Sequence, residues 1–242
     1  MSKLKLGMPS KGRLRDLTID WFARNGVKIE LASRDREYSA TFDKFKDIEL
    51  ILLPAGEIPN ELASGGVDLG VTGQDLVQEN IPEWRQFVAE LRLMNFGKAD
   101  LVIAVPKFWI DVESIDDLDF VATTFRRKNH QRLRIATKYH NLVRSYLREM
   151  GIADYQLVHS QVATEGAIKN DYAEVIADIA SSGKTLEANH LKVVGSKPIL
   201  KSQATLYLSR KAHWNKRKLF LFTKLCSLLN FKSSLVHSLI DT

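Results

Sequence analysis

The part of the sequence best suited to chemistry is a short loop that follows an apolar segment. The segment Val175–Ile179 is a candidate strand and carries one carboxylate, Asp178, near its end. The residues that follow are Ser181, Ser182, Gly183, Lys184 and Thr185, and then a helical pattern begins. Such a turn directs backbone N–H groups and hydroxyls to one point at a helix N-terminus, where a phosphate is favoured. Because a carboxylate accepts hydrogen bonds from sugar hydroxyls, Asp178 favours a sugar phosphate as the ligand.

Two other interpretations of this segment remain open. Gly183-Lys184-Thr185 matches the end of the P-loop motif, but that motif needs a glycine five positions before its Gly-Lys pair. Asp178 stands at that position, and its carboxylate would repel a triphosphate, so a P-loop is disfavoured. The other interpretation needs no ligand, because a Ser/Gly turn with Asp178 as a helix-capping residue gives the same sequence.

Two further loops carry residue types that suit anions. Pro9–Arg13 follows a first candidate strand and places Lys11 and Arg13 at the start of a helix. Cations oppose the helix dipole there, so an anion between them would explain their position, although two solvated residues on a surface turn would also fit. In the other loop, Gly73 permits close approach of a ligand. Asp75 can accept a hydrogen bond from a hydroxyl or amino group, or serve as an acid at a helix N-terminus.

Weaker candidates lie elsewhere in the chain. Arg34 and Arg36 belong to a charged loop that is equally well a solvated surface, and Glu165 lies near a predicted helix start, where it can act as a cap. A basic run that contains no acid between residues 125 and 148 comprises Arg126, Arg127, Lys128, Arg132, Arg134, Lys138, Arg144 and Arg148. The run has few aromatic residues and no RNA-binding signature, so a solvated or substrate-steering face is favoured over a nucleic-acid site.

Several kinds of chemistry are disfavoured by what the sequence lacks. The six histidines are scattered and form neither an HxxxH nor an HExxH pair, so no metal site made by the protein is expected. There is no GxSxG elbow, and the single cysteine, Cys226, lies in an apolar helical segment without a neighbouring base. The net charge of +6 favours anionic partners. Phosphate-binding loops without a nucleophile and base indicate a transferase that works by positioning and electrostatics.

The elements that must position these loops form two series. Strand candidates in the first series are Leu4–Met8, Val27–Leu31, Ile48–Leu53, Val67–Val71, Phe87–Met94 and Leu101–Val105. Those in the second are Phe120–Ala122, Leu133–Ala136, Gln156–Val158, Val175–Ile179, Val193–Leu200 and Ala204–Leu208. Helices are predicted over Leu14–Asn25, from near Glu57 and Gln74, over Tyr139–Met150 and from Trp214 to Asn230. The alternation predicts an α/β fold with mostly parallel sheets.

The sequence has no Pro/Gly/Ser linker between the two series. We therefore expect two lobes joined by strand crossings, with the ligand in a cleft between them. The N-terminus lacks a secretory signal, and no run approaches the roughly 18 apolar residues of a membrane helix. A cytoplasmic protein with no membrane partner is expected.

The motifs, taken together, resemble one enzyme family. ADIASSGKTLEANHL, at 177–191, is similar to the phosphoribosyl-pyrophosphate loop of ATP phosphoribosyltransferase, the first enzyme of histidine biosynthesis. PSKGR, VDLGVTGQDLV, ADLVIAVP, IATKY, VATEGA and KSQATLYLS follow the family order, and the resemblance covers roughly residues 3–212. It implies a two-lobed fold like a type II periplasmic binding protein, with one lobe from residues 1–95 plus 196–242 and the other from 96–195.

The implied reaction joins N1 of the adenine of ATP to C1 of phosphoribosyl pyrophosphate. The anomeric carbon is inverted and pyrophosphate is released, with Mg²⁺ carried by the substrate phosphates. A non-catalytic protein of the same fold that binds a phosphorylated ligand is the alternative, since that architecture often serves only to capture ligands.

The resemblance also implies roles for residues of the second lobe. Asp178 would hold the ribose hydroxyls, and Glu165 would border the same ribose. The 5′-phosphate would be bound by Ser181, Ser182, Gly183, Lys184 and Thr185.

In the first lobe, the resemblance assigns the catalytic cations. Lys11, Arg13 and Arg36 would face the polyphosphates, where a cation stabilises pyrophosphate as it leaves. Arg36 is preferred over Arg34 because the family has an arginine followed closely by tyrosine. Gly73 and Asp75 would line this side of the cleft.

A family member of this length would be the short form, which implies two kinds of protein partner. One is a second copy of the chain in a homodimer, and the other is a separate regulatory subunit that resembles histidyl-tRNA synthetase. No nucleic-acid partner is expected. The segment 214–240 matches the family least. Its apolar residues, which would suit packing or subunit contact, are Leu219, Phe220, Phe222, Leu225, Leu228 and Leu229.

Overall fold

The structure, a computed structural model, describes residues 3–31, 39–160, 164, 166–181 and 183–230. The strands are β1 Leu4–Pro9, β2 Ile29–Leu31, β3 Ser39–Phe42, β4 Ile48–Leu53, β5 Leu69–Gly73, β6 Val88–Leu93, β7 Ala99–Pro106, β8 Leu133–Thr137, β9 Tyr155–His159, β10 Val175–Ala180, β11 Leu191–Val193, β12 Leu200–Ser202 and β13 Ala204–Ser209. The helices are α1 Gly12–Arg24, α2 Ile58–Ser64, α3 Gln74–Asn80, α4 Ile115–Asn129, α5 His140–Glu149, α6 Gly166–Lys169, α7 Lys184–Ala188 and α8 Lys216–Leu228. None of these helices is long and apolar enough to cross a bilayer.

Contacts divide the chain into two compact units. Unit 1 comprises the residues up to Gly97 and those from Gln203 onward, and unit 2 comprises Lys98–Ser202. Each unit has its own sheet and its own buried clusters. The fold is therefore α/β and built of two units.

The sheet of unit 1 has the order β2-β3-β4-β1-β5-β13-β6. Its centre is parallel, because β1 pairs in parallel with both β4 and β5, with Leu6 opposite Leu50 and Leu69. β13 comes from the far end of the chain and lies antiparallel between β5 and β6. The carboxyl ends of β1, β4 and β5 consequently meet at one edge of this sheet.

Alternating side chains divide the core of unit 1 into two layers. On β13, Leu206 and Leu208 join the cluster that is covered by α1 and α8. Tyr207, which points the other way, joins the cluster formed with Ile58 of α2 and Val77 of α3. Helices therefore cover both faces, as a sheet with a parallel centre requires.

A buried ion pair fastens α8 to this sheet. Lys218 Nζ lies 2.6 Å from Asp68 Oδ1, and the two side chains are 12% and 1% exposed. The second oxygen of Asp68 accepts a hydrogen bond of 2.7 Å from the backbone N–H of Lys5 in β1. Asp68 therefore ties the start of β5, the strand β1 and the C-terminal helix together.

We expect Gly65→Ala to destabilise the protein more than Gly26→Ala. Both glycines have a positive φ, at +79° and +81°, which costs a side-chain-bearing residue about 1–2 kcal/mol. A Cβ on Gly65 would also lie 2.6 Å from the carbonyl oxygen of Lys211, whereas one on Gly26 would meet nothing within 4 Å. The clash should add about 1–3 kcal/mol to the loss of unfolding free energy, measured by urea denaturation. Equal losses in the two variants would show that the Lys211 carbonyl moves aside without cost.

The sheet of unit 2 has the order β11-β7-β10-β8-β9, with β12 paired to β7. β8, β9 and β10 are parallel to one another, and β7 runs antiparallel to β10. One face packs against α4 and α5 through residues such as Leu118 and Val143. The other face packs against α6 and α7 through Ala167 and Leu186.

The prediction of a strand at Phe120–Ala122 is wrong, because these residues lie in α4. The Ser114 hydroxyl accepts a hydrogen bond of 3.1 Å from the Asp117 N–H, and the Asp117 carboxylate accepts one of 2.8 Å from the Ser114 N–H. This capping box starts the helix, and its hydrogen bonds lower the pKa of Asp117. Leu118 and Ala122 are then buried at helical spacing.

The prediction of one strand over Val193–Leu200 is also wrong. Gly195, at φ +80°, breaks the segment into β11 and β12, which pair with different parts of β7. Because β12 belongs to this sheet, residues 196–202 lie in unit 2, whereas the sequence placed them in the first lobe. The strand Ser39–Phe42 was not predicted.

The C-terminal helix buries only part of its expected apolar face. Phe222, Leu225 and Leu229 are buried in the core of unit 1. Phe220 is 67% exposed and Leu228 is 36% exposed. Residues 231–240 of the predicted apolar tail lie outside the described part of the chain.

Candidate functional site

Asp178 lies near the end of β10, the strand from which the serine-rich loop departs. Val175 and Ala177 point to the layer of α4 and α5, so the alternation puts Asp178 on the opposite face with Ile176. The pairing of β10 with β8 ends at Ala177, one residue before Asp178. The carboxylate is therefore half-buried just beyond the point where β10 and β8 stop pairing.

One oxygen of this carboxylate is engaged and the other is available. Asp178 Oδ1 accepts a hydrogen bond of 2.8 Å from the backbone N–H of Ile179. Within the ranges that the structure describes, Oδ2 has no protein donor. A carboxylate oxygen held in place but unpaired can accept hydrogen bonds from a ligand hydroxyl.

The loop after β10 presents its polar groups to solvent. Gly183 has φ +71°, in the left-handed region that favours glycine, and it caps α7. The side chains of Ser181, Lys184 and Thr185 are exposed. The helix that follows has only five residues, so the exposed hydroxyls and the Lys184 ammonium, rather than a helix dipole, must provide most of the attraction for an anion. Ser182, also predicted for this site, lies outside the described residues.

Strand order brings two more segments to the same edge of unit 2. β8 lies between β9 and β10, and the three strands are parallel, so the residues that follow them share one edge. Lys138, directly after β8, is exposed there, and Thr164 precedes α6 with its side chain buried. Glu165, predicted to border the ribose, lies outside the described residues. The sequence predicted Lys138 only as part of the basic run, because only the strand order places it beside the loop.

In unit 1, Lys11 and Arg13 stand at the carboxyl end of β1. Lys11 caps α1, and Arg13 lies in its first turn, which has no acidic residue. Both side chains are exposed, and neither has an ion-pair partner in the described ranges. Two uncompensated cations at a helix N-terminus are unfavourable alone and become favourable when an anion binds between them.

Gly73 and Asp75 lie at the end of β5, the strand beside β1. Gly73 caps α3, and Asp75 is in its first turn, only 7% exposed. Because β1 and β5 are parallel neighbours, these residues and the cations at the start of α1 share one edge of the unit 1 sheet. The structure therefore brings the two predicted loops of this unit to the same edge.

A partly buried polar cluster near Asp75 was not predicted. Glu90 accepts hydrogen bonds from the Gln74 amide, at 2.8 Å, and from the Tyr207 hydroxyl, at 3.2 Å. Burial and then the charge of Glu90 raise the pKa of Tyr207 far above its usual range, with a smaller contribution from Asp75. These residues come from three distant parts of the chain, and only the insertion of β13 brings them together.

The remaining predicted features can be placed as follows. Arg34 and Arg36 lie outside the described residues. In the described part of the chain, no group of three or more His, Cys, Asp or Glu side chains is arranged to hold a metal ion. Cys226 is buried in α8, and burial raises the pKa of its thiol to about 12, so the thiol stays protonated and is not a nucleophile.

The chemistry available at these edges is recognition and electrostatics. Unit 2 offers a fixed carboxylate followed by hydroxyls and an ammonium, which suits a phosphorylated sugar. Unit 1 offers two uncompensated cations and a buried acid, which suit an anion that also carries a hydrogen-bond donor. Positioning of this kind can accelerate transfer to a bound acceptor without a covalent intermediate.

Comparison with known proteins identifies close relatives. A family model described as ATP phosphoribosyltransferase matches residues 54–230. The chain is 56% identical over 212 residues to an ATP phosphoribosyltransferase of Cereibacter sphaeroides, covering 88% of this chain and 90% of that one. It is 45% identical over 210 residues to one of Mesorhizobium japonicum, covering 86% and 90%.

Solved structures show the fold. The ATP phosphoribosyl transferase (HisG:HisZ) complex from Thermotoga maritima matches at a TM-score of 0.69 and 22% identity, covering 94% of this chain and 98% of that one. A probable amino-acid ABC transporter extracellular-binding protein from Bacillus subtilis matches at a TM-score of 0.52 and 12% identity, covering 95% and 92%. The binding-protein architecture predicted from the sequence is confirmed.

The fold alone does not separate a transferase from a ligand-capturing protein, because both kinds of protein have it. The sequence relatives do separate them, since the family match spans most of the chain and the relatives at 45% and 56% identity are named as enzymes. The chain belongs to the ATP phosphoribosyltransferase family, the enzymes of the first step of histidine biosynthesis.

Proposed function

We propose that the chain transfers the phosphoribosyl group of phosphoribosyl pyrophosphate to N1 of the adenine of ATP. The bond from C1 of the ribose to the pyrophosphate oxygen breaks, the bond from C1 to N1 forms with inversion, and pyrophosphate leaves. The observation that carries this proposal is the half-buried carboxylate of Asp178, which keeps one oxygen available to a ligand. The loop that follows it in the chain exposes serine and threonine hydroxyls and the ammonium of Lys184.

In this reaction, unit 2 positions the sugar. Asp178 accepts hydrogen bonds from the ribose hydroxyls, and Glu165 borders the same ribose. The 5′-phosphate is bound by Ser181, Ser182, Gly183, Lys184 and Thr185. Holding the ribose ring at both ends fixes the direction in which C1 points. Such orientation of the reacting atoms can lower the barrier to a displacement at carbon substantially.

The catalytic electrostatics belong to unit 1. Lys11 and Arg13, together with Arg36, neutralise the polyphosphate charge, and they stabilise pyrophosphate as it acquires negative charge on leaving. The absence of ion-pair partners for Lys11 and Arg13 in the described ranges supports this role, because their charge is available to a ligand. Gly73 and Asp75 line the binding surface on the same edge.

Magnesium enters this proposal with the substrates. Mg²⁺ is commonly bound through one or two carboxylates and the phosphates of a substrate rather than by an all-protein cage. In this chain the ion would be held through the substrate phosphates, since the described residues include no group of three or more His, Cys, Asp or Glu side chains arranged to hold a metal ion. The ion would neutralise charge on the pyrophosphate and make it a better leaving group.

We further propose that the chain acts in the cytoplasm as a homodimer together with a separate HisZ-like regulatory subunit, as in short-form enzymes. Support comes from the Thermotoga maritima structure, a HisG:HisZ complex with the same fold. Feedback inhibition by histidine would then require the second subunit.

The test is a pyrophosphate-release assay with ATP, phosphoribosyl pyrophosphate and Mg²⁺, run with and without the regulatory subunit. We expect release that requires both substrates, stops when EDTA removes the metal, and yields a product substituted at N1 of adenine. A folded chain that releases no pyrophosphate in either condition would contradict the proposal.

A further inference from the structure

A cavity lined by arginines lies in unit 2, apart from the proposed catalytic loop. Its volume is about 620 Å³, which falls within the range of small-molecule sites. The lining residues are Arg132, Arg144, Arg148, Gly151, Ile152, Ala153, Tyr155, Gln156 and Leu157. Three of the nine are arginines, and none is acidic.

Local structure explains why the arginines converge. Arg144 and Arg148 are four residues apart on α5, so they lie on the same face of the helix. Arg132 directly precedes β8, whose first residue pairs with Tyr155 at the start of β9. Strand pairing thus brings the third guanidinium to the end of α5.

The far wall of the cavity is fixed by the end of that helix. Gly151 adopts φ +77°, and its N–H donates to the Arg148 carbonyl at 3.1 Å. The N–H of Ile152 donates to the Leu147 carbonyl at 2.9 Å, and the Ile152 side chain is buried. These two hydrogen bonds form a Schellman motif, which fixes the path of the chain from α5 into residues 151–153 beside the arginines.

The charges in the cavity are uncompensated, unlike others in the same basic run. Arg126 pairs with Asp154, and the guanidinium and backbone N–H of Arg134 both contact Glu174, the latter at 2.8 Å. For Arg132, Arg144 and Arg148, the structure shows no ion pair in the ranges it describes. Like charges at i and i+4 repel by about 0.2–0.5 kcal/mol, and an anion in the cavity would remove that cost.

This cavity and the serine-rich loop belong to opposite edges of the sheet. Arg132 and Tyr155 stand at the amino ends of β8 and β9, whereas the loop with Gly183 follows the carboxyl end of β10. Because the three strands are parallel, no one small ligand reaches both places. The cavity is therefore not part of the proposed catalytic site.

We propose that this cavity is a second anion site, which binds a compact polyanion with two or more phosphate or carboxylate groups. The planar guanidinium fork matches both groups bidentately, and three forks favour a ligand with several charges close together. Ile152 and Leu157 provide an apolar wall for its carbon or bridging atoms. A nucleic acid is disfavoured, since the charges line a cavity and not an extended stripe.

Hydrogen–deuterium exchange with inorganic pyrophosphate tests the site, with citrate in a parallel experiment as the carboxylate probe. We expect protection of peptides spanning 142–157, separate from any protection of peptides spanning 178–190. The double variant Arg144→Gln/Arg148→Gln should weaken binding at 142–157 about 100-fold, or about tenfold for each lost charged hydrogen bond. Arg127→Gln removes one such charge from an exposed position on α4 and should change nothing.

The outcomes distinguish this site from the proposed catalytic one. Protection at 142–157 by pyrophosphate alone supports a polyphosphate ligand, and protection by citrate alone supports a polycarboxylate. Protection confined to 178–190 would overturn the second site while leaving the proposed function standing. Protection at 142–157 by a short single-stranded RNA but by neither small anion would also overturn it, as would equal losses in the double variant and in Arg127→Gln.

Discussion

Asp178→Asn is expected to lower the turnover of phosphoribosyl pyrophosphate about 100-fold or more, which is the typical cost of removing one preorganised polar contact to the reacting group. Asparagine keeps an oxygen that can accept the Ile179 N–H, now bonded at 2.8 Å, so the local backbone should not change. It removes the negative charge and one of the acceptors with which the carboxylate would hold the ribose hydroxyls. The loss should therefore appear in kcat as well as in KM for the sugar substrate.

Asp116→Asn is the matched control for this measurement. Asp116 is an exposed acid in the first turn of α4, in the same unit, and its replacement makes the same change in net charge. Its turnover should equal that of the wild type, and thermal unfolding should show both variants folded. A kcat for Asp178→Asn within about threefold of the control would remove Asp178 from the sugar site.

Lys218→Met is expected to lower the unfolding free energy by about 3–5 kcal/mol, because it leaves the carboxylate of Asp68 buried without its counter-charge. Asp68 is 1% exposed, so water cannot replace the ammonium that now lies 2.6 Å away. Among the residues that the structure describes, the Lys5 N–H would be the one donor left to that carboxylate. The loss should be measured by urea denaturation followed by circular dichroism.

Two further variants make that result specific. Lys216→Met removes an exposed cation from the first turn of the same helix and should change stability by less than about 0.5 kcal/mol. Asp68→Asn combined with Lys218→Met should regain part of the loss, since the uncompensated charge is then gone. If Lys218→Met costs no more than Lys216→Met, the ion pair contributes nothing net to the fold.

The parts of the fold that the sequence predicted well are those whose residues are buried on both faces. The run Leu101–Val105 belongs to β7, which has neighbours on both sides and helices above and below. Its apolar residues need no alternation, and flanking charged or turn residues define its ends. The strand Ser39–Phe42, by contrast, has only four residues, with the exposed Thr41 between the buried Ala40 and Phe42, and gives no such signal.

The errors have non-local causes. Residues 196–202 were placed in the first lobe because their pairing with β7, a hundred residues earlier in the chain, leaves no local trace. In the site, Asp178 and its loop could be predicted because they are contiguous in sequence. The cluster of Gln74, Glu90 and Tyr207 could not, because its members meet only through the insertion of β13.

That insertion has a consequence for the order in which the chain folds on the ribosome. β6 has β13 as its one neighbour among the described strands, and β13 completes the sheet between β5 and β6. When residue 97 has been synthesised, the first unit still lacks this strand and α8, whereas everything needed for Lys98–Ser202 emerges before it. The nascent chain therefore carries an open sheet edge at β5 until translation passes Ser209. The second unit, although encoded later, is the first that can finish folding.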